Sequence, residues 1–230
     1  MSVTTWNHHH FPKFDADKII KQIISSPKHK TDPTYKYYMM TAEDIKKSWD
    51  ANRDSASSSG TNMHYDIECY YNQLPVTNDS IEYQYFKQFV EDYPNLEPYR
   101  TEWTVFHEEL RISGSIDMVF RNKDDGSLSI YDWKRCRDIK KTDRKCSKNP
   151  VIEHIPDTNY WHYCLQLNTY KAILESKYDV KIRDMYLICL HPENENKSYQ
   201  RIKVMDMRED IQRLFEQRRK QIKLLKEKID

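Results

Sequence analysis

Hydrophobic spacing changes character along the chain. Ala16 to Ser25 (ADKIIKQIIS) places its isoleucines at helical intervals and predicts a short amphipathic helix. Residues 26–41, punctuated by Pro27 and Pro33, read as a loop. Thr41, with Asp44 three residues on, has the form of a capping box and opens a helix over 42–57. The Ser-rich run ending at Gly60 has linker composition, and a second helix is expected over 62–73, then another over 80–92. From Pro98 to Arg121 (PYRTEWTVFHEELRISGSIDMVFR) the period shifts to two, which predicts a pair of strands joined at His107–Glu109. NKDDG is a turn, and Leu128 to Arg135 is the returning strand. Residues 136–158 form a polar connection, and Asn159 to Ser176 is a helix. Lys181–His191 and Tyr199–Met205 are late strands, and Asp206–Lys228 is a closing helix.

With no internal repeat, the 230 residues read as one domain: an N-terminal helical region over 1–58, a core over 59–206 and a C-terminal helix over 207–230. The content is 38% hydrophobic and 13% aromatic, which suffices for a core. Only 3 glycines favour α+β or α/β over an all-β sandwich. His8, His9 and His10 point in diverging directions, which suits surface or local packing better than a metal trap. Net charge is +1, so what matters is its distribution. Arg135–Lys148 and Arg213–Lys228 are basic, whereas acids concentrate between Asp79 and Glu109. Five cysteines without a CxxC unit suit a reducing compartment and give no reason to expect a zinc site or an iron–sulfur cluster. No signal-peptide core or long apolar run is present, so the expectation is a soluble intracellular protein with no membrane partner.

The stretch SIYDWK (Ser129–Lys134) poses a chemical question, because Asp132 and Lys134 share one face of a strand with apolar neighbours. If NKDDG turns around Asp124–Asp125, Asp117 lies opposite Asp132, with Cβ atoms roughly 5 Å apart. Facing carboxylates repel unless a cation lies between them, and oxygen ligands of this kind suit Mg²⁺ or Mn²⁺. A solvated sheet face with Lys134 neutralising one acid is the alternative. Val119, Ile130 and Leu128 on the same face speak against it.

The order of motifs resembles the RecB-like branch of the PD-(D/E)XK nucleases. The chain carries GTNMH (Gly60–His64), Glu102 before the hairpin, GSID ending at Asp117, DWK from Asp132, and QLNTY from Gln166 to Tyr170. Flanking segments such as TAEDIKKSWDANRD look most like the exonuclease-like proteins of large DNA viruses and phages, among lambda-type relatives. The cysteine group of the cluster-bearing CRISPR-associated exonucleases is missing. The resemblance implies an α/β, restriction-endonuclease-like core: a central mixed β-sheet flanked by helices. It also implies roles for single residues. His64 would ligate a metal, as a neutral imidazole can. Asp117 would bind or bridge the metal, and Asp132 would complete the set with a backbone carbonyl, that of Trp133. Lys134 would position the attacking water and offset charge on the phosphate. One or two Mg²⁺ or Mn²⁺ ions would polarise the phosphoryl oxygen and activate the nucleophile.

Four other residues carry two readings each. Glu68, one helical turn after His64, would orient it or hold a water, or is a plain surface acid. Glu102 is a further ligand or support, or a strand-edge acid. Gln166 and Tyr170, at i and i+4, either contact nucleic acid and support the lysine or pack the helix. Arg135, Arg137, Lys140, Lys141, Arg144 and Lys145 leave directly from the DWK strand and are candidates for tracking a DNA backbone, although such runs are commonly solvated surface. Tyr160, Trp161 and Tyr163 read more readily as core than as base-stacking groups.

The expected function is a divalent-metal-dependent DNA nuclease, an exonuclease by resemblance, acting on single strands or free ends in replication, recombination or repair. An endonuclease using the same site and a non-catalytic nucleic-acid-binding module are the rivals. If viral, the protein would work in the cytoplasm or nucleus of a host cell. Oligomeric state, polarity and source are not legible in the residues.

Overall fold

The alternating segment folds into three consecutive antiparallel strands, β1 (Leu96–His107), β2 (Ile112–Asn122) and β3 (Leu128–Lys134). The computed structural model describes residues 1–227. Two later strands extend the sheet: β4 (Ile182–Cys189) runs parallel to β3, and β5 (Gln200–Lys203) is antiparallel to β4, giving the order β1-β2-β3-β4-β5. Parallel neighbours need a long crossover. Here it consists of the polar connection, a short 3₁₀ turn at Pro150–Ile152 and a long helix. The helices are α1 (Val3–His8), α2 (Ala16–Ser25), α3 (Pro27–Thr31), α4 (Ala42–Tyr71), α5 (Ile81–Asp92), α6 (Asn159–Lys177) and α7 (Arg208–Lys226). The expected α/β architecture, a mixed five-stranded sheet flanked by helices, is the one observed.

Alternation sorts β2 and β3 between two apolar layers. Val119 and Ile130 join Leu165, Leu167, Ile173 and Leu174 of α6 and Ile211 and Leu214 of α7. Met118, Phe120, Tyr131 and Trp133 join Met63 and Ile67 of α4 and Phe86 and Phe89 of α5. Both faces of β3 are therefore covered, which explains its nearly continuous apolar sequence. The hairpin turn is the one expected: Gly126 adopts φ +70°, and Asn122 Oδ1 and Asp125 Oδ1 accept from the backbone of Asp124 and Ser127.

Several local expectations are corrected. The two helices expected over 42–57 and 62–73 are one helix, α4, which runs through the Ser-rich stretch and Gly60. Local propensity makes such a stretch a poor helix, but extending a helix already nucleated on both sides costs less than breaking it. Pro27 starts the short helix α3 inside the expected loop, as proline can at a first turn. The N-terminal segment contains α1, capped by Ser2 Oγ on the N–H of Thr5. β5 stops at Lys203 rather than Met205. The expected end of the closing helix, at Lys228 and on to 230, lies outside the described residues.

The chain divides into two compact units, one spanning Lys13–Asn62 and the other comprising Met1–Pro12 with the chain from Met63 onward. Within the first, Thr41 and Asp44 form the expected reciprocal cap: Asp44 N–H donates to Thr41 Oγ1 at 3.1 Å, and Thr41 N–H to Asp44 Oδ2 at 3.3 Å. Trp49 Nε1 donates to the Tyr37 hydroxyl at 2.9 Å. The second unit carries the sheet and every residue discussed below. Among the described residues no helix is long and apolar enough to cross a membrane.

Candidate active site

The register of the first three strands sets three acids in one row. Thr101 pairs with Met118 and Trp103 with Ile116, so Glu102 and Asp117 face each other between them. The pairing is interrupted at that point, where Glu102 adopts φ +42°. A positive φ is costly for glutamate, and strain of this kind collects where a side chain must be aimed. On the other side, the β2–β3 ladder closes with Met118↔Tyr131, and one step further Asp117 stands opposite Asp132, as the turn position predicted. There the strands part, and Asp117 Oδ2 accepts the N–H of Trp133 at 2.9 Å in place of a ladder carbonyl. Glu102, Asp117 and Asp132 thus lie side by side at the open end of the hairpin.

His64 approaches from α4, whose neighbours Met63 and Ile67 anchor that turn in the apolar layer. Its Nδ1 lies 3.5 Å from Asp117 Oδ2. His64, Glu102 and Asp117 each present a ligand atom such that all lie within 4.8 Å of one another, close enough to hold one metal ion. The Ser115 hydroxyl donates to Glu102 Oε2 at 2.8 Å and fixes its carboxylate. Asp132 is turned toward Lys134 instead, with Nζ 2.5 Å from its Oδ2. That contact is an ion pair without hydrogen-bond alignment, so among the described residues the buried Oδ2 lacks an aligned donor. The three acids lie together, and the group whose ligand atoms could share an ion is His64, Glu102 and Asp117, with Glu102 in the place of a ligand that the sequence reading gave it as one of two alternatives.

Electrostatics tests whether a cation fits. Burial, then the neighbouring Asp132 charge, pushes the Asp117 carboxyl well above the ordinary range, against the opposing pull of Lys134. Burial lowers the His64 imidazole below its usual value, with Lys134 acting in the same direction, so the ring is neutral at pH 7. Burial alone would lower the Lys134 ammonium too, yet Asp132 and Asp117 outweigh it and hold it above the ordinary lysine value. A neutral imidazole, two adjacent carboxylates and an unaligned buried oxygen form a donor set that a divalent cation completes.

The α6 motif residues reach the same place. Gln166 Nε2 lies 3.4 Å from the Tyr170 hydroxyl. Tyr170 packs on Gly114 so closely that a Cβ there would come within 2.8 Å of its ring and hydroxyl. The glycine of GSID and the tyrosine of QLNTY are therefore complementary surfaces of one contact. Tyr163, read from the sequence as core, lies under Lys134, with Nζ 4.9 Å from its ring centroid. Ser115 escaped the sequence reading, which weighed Tyr163 only as core or as a base-stacking group. Ser115 sits inside the quoted GSID motif, which is where a sequence signal was available. Glu68 is half-buried, and its carboxylate makes no hydrogen bond or ion pair among the described residues.

The basic run divides. Arg135 is held by Glu82 at 2.7 Å and Arg137 by Glu193 at 3.0 Å, so both guanidinium groups are occupied. Lys141 Nζ lies over the Tyr160 ring at 4.8 Å. Lys140, Arg144 and Lys145 are exposed and form no ion pair among the described residues. The backbone here is pinned to α6: Asn159 Oδ1 accepts from Lys140 N–H, and Trp161 Nε1 donates to the Lys141 carbonyl, each at 2.9 Å.

The sequence profile of the PD-(D/E)XK nuclease superfamily matches residues 77–230. The chain belongs to that superfamily. Glu102, Asp117, Asp132, Lys134, Gln166 and Tyr170 fall inside the match, and His64 and Glu68 precede it. A search of curated proteins finds no match. PD-(D/E)XK nucleases use divalent metals, and the donor set at the open end of the hairpin is of the kind they need.

Proposed function

We propose that the protein is a Mg²⁺- or Mn²⁺-dependent DNA nuclease whose site is the acidic row of β1, β2 and β3. The observation that carries this reading is the alignment of Glu102, Asp117 and Asp132 with His64 and Lys134 around one point. Buried carboxylates that repel each other have no structural use, and a cation with a phosphate gives them one. His64, Glu102 and Asp117 would hold the ion, with Asp132 within reach once it exchanges its pairing with Lys134. When bound, the ion supplies Lewis acidity to the phosphoryl oxygen and to the attacking water.

The remaining work belongs to the chain. Lys134, kept charged by its two acids, holds the nucleophilic water and offsets charge that grows on the non-bridging oxygens. Ser115 keeps Glu102 in place, and Gln166 and Tyr170 border the phosphate path. Lys140, Arg144 and Lys145 offer free cations to the strand backbone. The five ordered motifs support placing the protein in the RecB-like branch, most like viral and phage exonuclease-like proteins. Exonucleolytic action on DNA ends in replication, recombination or repair rests on that likeness.

End-labelled linear single strands and covalently closed circles, incubated with Mg²⁺, Mn²⁺ or EDTA, test the proposal. Loss of the linear substrate alone, dependent on metal and absent in Lys134→Ala, is the expected result. Nicking of the circle would make the protein an endonuclease using the same residues. Absence of cleavage under every metal condition would refute the proposal.

A further inference from the structure

A cavity of about 210 Å³ lies between α1 and α6 beside the acidic row, lined by Asn7, His8, Asn159, His162, Tyr163 and Gln166 among others. It is smaller than the roughly 300–1,000 Å³ of pockets for drug-sized ligands, so it admits one planar ring system and not a whole nucleotide. Asn7 is its most informative wall. The residue is 2% exposed, yet among the described residues both its amide nitrogen and its carbonyl oxygen lack a hydrogen-bond partner. A buried carboxamide without partners is costly, and nothing in the packing of α1 requires one, since leucine has a similar shape.

The other walls are fixed in advance. His162 Nε2 lies 2.9 Å from Asp157 Oδ1, so in the neutral ring that nitrogen carries the proton. Its ring is packed 4.0 Å from Phe11 and 5.3 Å from His8, centroid to centroid. α1 is tied to the sheet by the bridge of Ser2 to Ser113, next to Gly114. Two walls also belong to the candidate active site, because Tyr163 underlies Lys134 and Gln166 contacts Tyr170.

Resting on the nuclease reading, we infer that this cavity is a nucleobase pocket, receiving one base of the bound strand next to the phosphate held at the acidic row. A side-chain rotation of Asn7 toward the cavity would present its carboxamide, whose adjacent donor and acceptor are the arrangement that pairs with the edge of a base, as asparagine does with adenine. Imidazole and phenol rings offer surfaces for stacking. The basic connection would then guide the backbone while Asn7 holds a base, which separates positioning contacts from a base contact.

The test is binding of a short fluorescent single-stranded oligonucleotide by the full chain, read by anisotropy in EDTA and with Ca²⁺. One abasic residue is moved stepwise along the strand. A pocket predicts one position at which the missing base weakens wild-type binding about tenfold, with near-neutral effects elsewhere. Asn7→Leu should erase that difference while melting no lower than wild type, because it removes two unpaired buried polar atoms. Equal binding of every abasic strand by wild type would overturn the pocket and leave the nuclease reading intact. Asn7→Leu melting well below wild type would show that Asn7 is satisfied inside the fold, by a buried water for example, and would overturn its role. If that variant does not fold, the abasic scan on wild type decides alone. Failure of any nucleic acid to bind, together with no metal-dependent cleavage, would sink both proposals.

Discussion

The two ends of the β2–β3 hairpin carry similar charges and opposite electrostatics. At the turn end, Asp125 and Asp184 meet Arg183, and Asp184 also meets Lys203 at 2.7 Å. Asp125 and Asp184 each have a cation, and both carboxyls are held below their ordinary value. For Asp125 the Ser127 hydroxyl acts first. For Asp184, burial would raise the value, but Lys203 and Arg183 outweigh it. At the open end, Glu102, Asp117 and Asp132 share a single lysine, and burial drives Asp117 upward. The turn end is complete as it stands, whereas the open end, on the proposed reading, is completed by a cation. Acid count alone separates nothing. The difference lies in burial and in whether each charge has its own partner.

Adding the cation is the strongest way to test that contrast. With Mg²⁺ or Mn²⁺ at about 100 times its dissociation constant, native-state binding should stabilise the protein by about 2.7 kcal/mol, or about 5–10 °C in Tm for a chain of this size. Asp117→Asn should lose most of that shift and at least about 10³-fold in cleavage rate. Asp184→Asn should keep both. Calorimetric melts with and without EDTA, run beside the cleavage assay, check this. A cation shift lost in Asp184→Asn and kept in Asp117→Asn would move the ion to the wrong end of the hairpin.

Packing behind the open end gives the next effect. Gly114→Ala places a methyl group 2.8 Å from the Tyr170 ring, and both are walled by buried neighbours. The clash should cost about 1–3 kcal/mol of stability and displace Tyr170 from Gln166. Gly114→Ala combined with Tyr170→Phe should recover little, since the ring carbon is as close as the hydroxyl. Tyr170→Leu should recover more. Urea unfolding of the three variants measures the difference.

What could be read from the sequence followed chain distance. The Asp117–Asp132 opposition came from counting back from a five-residue turn, and local chemistry determines such a turn. Glu102 was named, but not placed beside Asp117, because that needs the register across a second turn and an interrupted ladder at a positive φ. The continuity of α4 through SASSSG was invisible because composition reports propensity, whereas the neighbouring turns decide whether the helix persists. Arg135 looked available within its basic run. Its partner Glu82 lies 53 residues away, a pairing only the fold creates. The Asn7 cavity was out of reach for the same reason, since α1 and α6 meet only in space.

The finest discrimination between the two ends is the sign of their pH dependence in EDTA. Asp117 has a raised folded value, so its contribution is most favourable below the unfolded value of about 3.9 and is lost as pH rises through the folded one. Asp117→Asn should therefore stabilise the metal-free protein at pH 7 by about 1–2 kcal/mol, the gain shrinking to nothing as pH approaches 4. Asp184 has a depressed folded value, so its contribution is present above the unfolded value and is lost as pH falls through the folded one. Asp184→Asn should therefore destabilise at pH 7, by under about 1 kcal/mol because Lys203 and Arg183 are solvated, and less in high salt. Urea midpoints from pH 4 to pH 8 read both signs. Two variants moving in the same direction with pH would mean that the acidic row is an ordinary salt-bridge cluster, and that its lysine alone satisfies it.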